Sequence, residues 1–156
     1  MKIALVLSQP PAYSETFLRS KIKGLQRNGM DVTLYCRKKQ ASFDLCPVVL
    51  RPRVSENPII QLWCFMLVFL ELLPYYKVVR RYVSLERRDG TRGVTLLKQI
   101  YLNAHLLKAQ PDWVHFGFAT MAIGSETVAQ AIGAKMGVSF RGFDMGTYPI
   151  KNPGCY

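Results

Sequence analysis

The opening segment, Met1-Lys-Ile-Ala-Leu-Val-Leu-Ser8, is an apolar run too short for a helix and is closed by Pro10 and Pro11. A run of this kind suits a strand covered on both faces, as in a parallel sheet. The next stretch has helical character. Ser14 stands at an N-cap position, Glu15 falls in the first turn, and Leu18, Ile22 and Leu25 recur at helical spacing until Asn28-Gly29 supplies a C-cap. Residues 31–36 then form a second strand, and residues 47–50 a short third one after a basic loop. The opening is therefore a βαβ unit, for which a right-handed crossover is expected.

The alternation continues. Residues 59–73 are almost wholly apolar and are stopped by Pro74, which gives a helix of about 22 Å. Leu96, Ile100, Ala104 and Leu107 mark a second amphipathic helix, and Pro111-Asp112 breaks the chain before a strand at Trp113-Val-His-Phe116. Residues 119–135 have helical composition, and residues 137–140 read as the next strand. With 156 residues, 49% of them hydrophobic, the chain has enough material for one core. The expected fold class is α/β, a Rossmann-like doubly wound parallel sheet. Ligands of such sheets gather beyond the carboxyl ends of the strands, which selects the loops at residues 9–14, 115–118 and 141–148.

A net charge of +11 gives the chain a field that attracts phosphate-bearing partners. Much of the charge, including Lys77, Arg80, Arg81, Arg87 and Arg88, comes directly after the apolar segment. A 22 Å helix is short for a membrane span, but an apolar helix beside basic residues suits contact with an anionic bilayer surface. The residues expected to make it are Trp63, Phe65, Phe69, Arg80 and Arg81. An RNA-recognition pattern and a helix-turn-helix are both lacking, so nucleic acid is not an expected partner. Cys36, Cys46, Cys64 and Cys155 contain no C-x-x-C pair, and His105 and His115 are not spaced around them as zinc ligands. No metal site is expected. The thiols read as reduced and cytosolic, and the N-terminal run is shorter than the apolar region of a signal peptide. Glycine-rich dinucleotide and Walker-type phosphate motifs are missing after the first strand.

At its loops the chain resembles bacterial glycosyltransferases of family four, of the colanic acid and exopolysaccharide type. Pro11-Ala-Tyr-Ser-Glu-Thr-Phe17 matches their first loop, His115-Phe-Gly117 a second motif, and Val138-Ser-Phe-Arg-Gly-Phe-Asp144 a turn after a strand. Two departures stand out: Arg141 where many relatives carry histidine, and Pro10, Pro11 and Ala12 where many carry glycines. The resemblance implies the N-terminal, acceptor-side half of a two-domain GT-B enzyme, spanning residues 1–156 and incomplete, with the C-terminal donor-binding domain absent. It implies transfer of a sugar, with retention, from a nucleotide sugar to a polysaccharide or lipid-linked saccharide, the chain alone being inactive or partial. No cofactor is implied, the nucleotide sugar being a co-substrate. His115 would position the donor sugar at the reacting centre. Ser14, Glu15, Thr16, Gly117, Arg141, Gly142 and Asp144 would line the substrate site. The location implied is cytoplasmic and peripheral on the inner face of the plasma membrane. The contrasting expectation is a noncatalytic basic module for a membrane surface or nucleic acid. Each residue also has a plain structural use: His115 hydrogen-bonded at a strand end, Asp144 capping a turn, Ser14 and Glu15 capping a helix.

Overall fold

The computed structural model describes residues 1–12, 16–38 and 43–155. Five parallel strands form one sheet: β1 (Lys2–Val6), β2 (Asp31–Cys36), β3 (Val48–Leu50), β4 (Trp113–Phe116) and β5 (Lys135–Val138). Their spatial order is β3-β2-β1-β4-β5. The chain builds outward from β1 in one direction, then returns to its other side, which puts the switch of direction between β1 and β4. The first, fourth and fifth strands are thus neighbours.

Helix α1 (Thr16–Arg27) covers one face of the sheet. Its Leu18 and Ile22 are buried with Ile3, Leu5, Leu7 and Leu34. It ends where Gly29 takes a φ of 73°, the left-handed turn that the Asn28-Gly29 pair signals. The opposite face buries Ala4, Tyr35, Val114 and Phe116 against α3 (Tyr76–Arg88), α4 (Gly93–Ala109) and α6 (Glu126–Ile132). Pleating explains the division, because successive side chains of a strand point to opposite faces. With helices on both faces and all strands parallel, the fold is the doubly wound α/β sheet expected from the alternation.

Three local expectations change. Pro74 does not end the helical run. Helix α2 (Pro58–Leu72) passes through a 3-10 turn at Leu73–Tyr75 straight into α3, since proline at the start of a turn loses only a hydrogen bond it would not make. The segment after β4 divides into a short α5 (Ala119–Ala122) and α6, and Lys135 belongs to β5. Gly133, with φ 76°, closes α6 early enough for β5 to begin at Lys135 and finish at Val138.

Between α3, α4 and α6 lies a buried polar cluster. Asn103 donates to the Tyr82 hydroxyl at 3.1 Å and to the Gly124 carbonyl at 3.2 Å, while Ser125 donates to Asn103 Oδ1 at 2.8 Å. The Thr127 hydroxyl donates to the buried Glu86 carboxylate. These bonds tie the crossover helices together where apolar packing alone would leave them free to slide.

Candidate functional site

The site grows from the carboxyl edge of β1, β4 and β5. Backbone ladders run past the strand ends, with Gly117 N donating to the Val6 carbonyl and Ser139 N to the Phe116 carbonyl, both at 2.9 Å. Gly117 is buried because the chain must pass close to β1 there. A Cβ at this position would overlap the Leu7 side chain and stand 3.3 Å from the Val6 carbonyl oxygen. A packing demand therefore accounts for the glycine of His-Phe-Gly. Gly142 carries no such demand, since a Cβ there meets open space.

His115 lies within β4, one residue before its end, rather than in the loop beyond it. Register sets it beside Leu5 of β1, so its ring is on the α1 face of the sheet. There Lys21 Nζ approaches Nε2 at 2.7 Å and Ser139 Oγ at 2.9 Å. Burial, with the Lys21 charge second, pushes His115 down to about 4. A neutral ring accepting from the ammonium at Nε2 carries its proton on Nδ1, an assignment that follows from the hydrogen-bond network. Lys21 is itself lowered, by burial first and then by Arg141. The ring opens onto an apolar trough of about 250 Å³ lined by Met1, Ile3, Leu5, Leu25 and Trp113.

Arg141 is where the three loop motifs meet. Its guanidinium carbon sits 4.4 Å from the centre of the Phe118 ring, just after the second motif, and 5.6 Å from that of Phe17, the end of the first. Both distances lie within the range of cation–π attraction. Its Nη2 is buried without a hydrogen-bond partner among the described residues. Asp144 is fully buried and accepts from Thr120 N at 3.2 Å and from Arg141 N at 3.0 Å. Of the two uses expected for this carboxylate, lining the substrate site and capping a turn, these two bonds describe the second.

Ser14 and Glu15 lie outside the described residues, and Thr16 is the first residue of α1. Sequence reasoning missed Lys21, Ser139, Phe17 and Phe118 as site residues. Lys21 and His115 are 94 positions apart, and helical spacing alone does not say which strand a lysine of α1 reaches.

Of the five expected membrane-contact residues, Trp63, Arg80 and Arg81 are exposed, whereas Phe65 and Phe69 turn inward. Phe65 stacks on Tyr101 of α4 at 4.3 Å and on Phe69 at 5.9 Å. Helical periodicity forces this division, because residues four apart share a face. The outward face is formed instead by Ile59, Leu62, Trp63, Met66, Leu70 and Leu73. The continuous helical run Pro58–Arg88 includes a stretch long and apolar enough to cross a bilayer, only 6% of it buried. Among the described residues, no group of three or more His, Cys, Asp or Glu side chains gathers as a metal site would.

No protein-family model, curated protein or solved structure matches the chain.

Proposed function

We propose that this chain is the acceptor-side half of a retaining glycosyltransferase, which takes a sugar from a nucleotide sugar and places it on a polysaccharide or lipid-linked saccharide. The observation that carries this reading is the position of Arg141, whose cation lies over both Phe17 and Phe118. The three segments that resemble the glycosyltransferase loops thereby converge at one point of the β1–β4 crevice, where doubly wound sheets bind their ligands. Lys21 and Arg141 supply positive charge near the place where a diphosphate leaves, and stabilising that developing charge is the main task of such a site. The neutral His115, held by Lys21 and Ser139, offers an uncharged ring to position the sugar. The transfer itself belongs to the cleft between this domain and a donor-binding partner domain.

The test is to trace the reading frame past Tyr156 at the genomic locus and to assay the resulting protein with a panel of nucleotide sugars. A second α/β domain with sugar transfer that falls on His115→Ala or Arg141→Ala is the expected result. A frame that closes at Tyr156, together with no chemical-shift response at His115, Ser139 or Arg141 to saccharides or nucleotide sugars, would overturn the proposal.

A second reading concerns where the protein works. Supporting it is the exposed apolar face of α2, continuous with α3, on which Arg80, Arg81, Arg87 and Arg88 are all exposed. Apolar and cationic surfaces adjoining in this way fit an anionic bilayer. One side of the same helical run is committed to the protein through Phe65, Phe69, Tyr82 and Glu86. That commitment favours lying on the membrane over crossing it.

A further inference from the structure

A second polar site lies on the other side of the crevice, at the ends of β2 and β3. Arg37 comes directly after β2 and Arg51 directly after β3. Arg37 N donates to the Ser8 carbonyl at 3.1 Å and Arg51 N to the Cys36 carbonyl at 2.8 Å. The register that pairs Cys36 with Leu50 sets the two arginines side by side on adjacent strands. Like charges in that relation repel. Arg53 lies two residues further on, its carbonyl held by the Tyr101 hydroxyl at 2.5 Å.

Among the described residues nothing neutralises this charge. None of the three arginines forms an ion pair there, where the only such pair joins Lys108 to Glu71. All three line an outer trough of about 630 Å³, and Arg37 and Arg51 also border an inner cavity of about 40 Å³. No carboxylate lines either space among the described residues. Arg51 Nε donates to the Leu102 carbonyl at 3.2 Å, which fixes the guanidinium plane. His105 borders the inner cavity, and its Nδ1 is buried with no hydrogen-bond partner among those residues. A buried polar atom in that state costs free energy unless a guest satisfies it. The inner cavity holds roughly one to three waters, so a larger anion has to sit in the outer trough.

We infer that Arg37, Arg51 and Arg53 form a binding site for a phosphate or diphosphate group, seated in the outer trough with His105 Nδ1 lining the space behind it. Guanidinium forks match phosphate oxygens in pairs, and three unneutralised cations suit a group with more than one negative charge. The outer trough lies at the ends of β2 and β3 and includes no residue of the Arg141 cluster, whereas the inner cavity behind it reaches the β1–β4 crevice at Val6, Leu7 and Phe116.

Isothermal titration with inorganic pyrophosphate at low salt tests this on the whole chain. A parallel arm measures binding to phosphatidylcholine vesicles carrying phosphatidic acid. Arg37 and Arg53 are exposed, so Arg37→Gln and Arg53→Gln do not disturb the core. Lys23→Gln, at an exposed position of α1, serves as the control for net charge. Pyrophosphate is expected to bind, with each of the two variants weakening it at least about tenfold and the control leaving it unchanged. If only the vesicles bind, and the same two variants abolish that binding, the phosphate is that of a lipid headgroup. Equal losses in all three variants, vesicle binding that survives both arginine variants while pyrophosphate does not bind, or binding in neither arm, would refute the site.

Discussion

Lys21 Nζ lies 2.7 Å from Nε2 of His115, a lysine in the second turn of α1 held against a histidine of the central sheet. The contact adds to burial in keeping the ring neutral. His115 is lowered to about 4, from the usual 6.5, by burial and then by Lys21. Because the folded state binds its proton less readily than the unfolded chain, His115 contributes stability that is fully present above about pH 6.5. That stability is lost as pH falls through about 4. His105, pushed down to about 3 by burial and then by Arg51 and Lys108, acts in the same direction. Urea midpoints measured from pH 7 to pH 4 should fall less steeply for His115→Gln than for the parent chain. In NMR titrations Lys21→Met should raise the His115 pKa only part of the way, since burial is the larger cause. A His115 midpoint near 6.5 in the parent chain would contradict the contact.

Asp144 sets the turn that carries Arg141. Asp144→Asn keeps the shape but turns one of the two acceptors toward Thr120 N and Arg141 N into a donor. The expected cost is about 1–3 kcal/mol, read from urea unfolding. A further loss of order around Arg141 should appear in its side-chain Nε–H resonance. An unchanged midpoint would mean that the carboxylate does not hold the loop.

Gly137 of β5 is needed as glycine because a Cβ there would stand 2.9 Å from His115 Nδ1 and 3.1 Å from Trp113 Nε1. Both rings belong to the neighbouring strand and neither is the loose end of a flexible chain. Gly137→Ala should therefore lower stability by about 1–3 kcal/mol and displace the His115 ring, visible as a changed His115 titration. Gly142→Ala, which meets open space, should do neither.

The outward face of α2 gives a prediction that separates apolar from electrostatic contact. Flotation with anionic vesicles should be lost in Trp63→Glu combined with Met66→Glu, whereas Phe65→Leu should leave it intact. Arg80→Gln and Arg81→Gln should each weaken binding about fivefold, in line with roughly 1 kcal/mol per surface cation. Equal flotation of all these proteins would exclude this face as the contact, and none by the parent chain would exclude the bilayer as partner.

Much of the architecture was legible in the residues. The short apolar runs at residues 2–6, 31–36 and 113–116, each with helical spacing before or after it, marked the three central strands and the βαβ order, because burial on both faces leaves few other uses for them. Boundaries read less well where propensity and tertiary context disagree. Pro74 punctuates a helix in sequence but is absorbed by a 3-10 turn. Lys135 reads as helical by composition yet starts a strand, because Gly133 ends the helix before it.

Periodicities, turn residues and the sum of charge are properties of neighbouring residues along one chain, and they could be read from the order of the amino acids. Which side chains meet could not, and depended on the assembled fold. Strand register put His115 on the α1 face, opposite Lys21, and set Arg37 beside Arg51. Helix rotation turned Phe65 and Phe69 inward while leaving Trp63 outside. Such pairings depend on the register and angle at which distant elements pack. Those are settled by the competition of all side chains for one core, which no local pattern records.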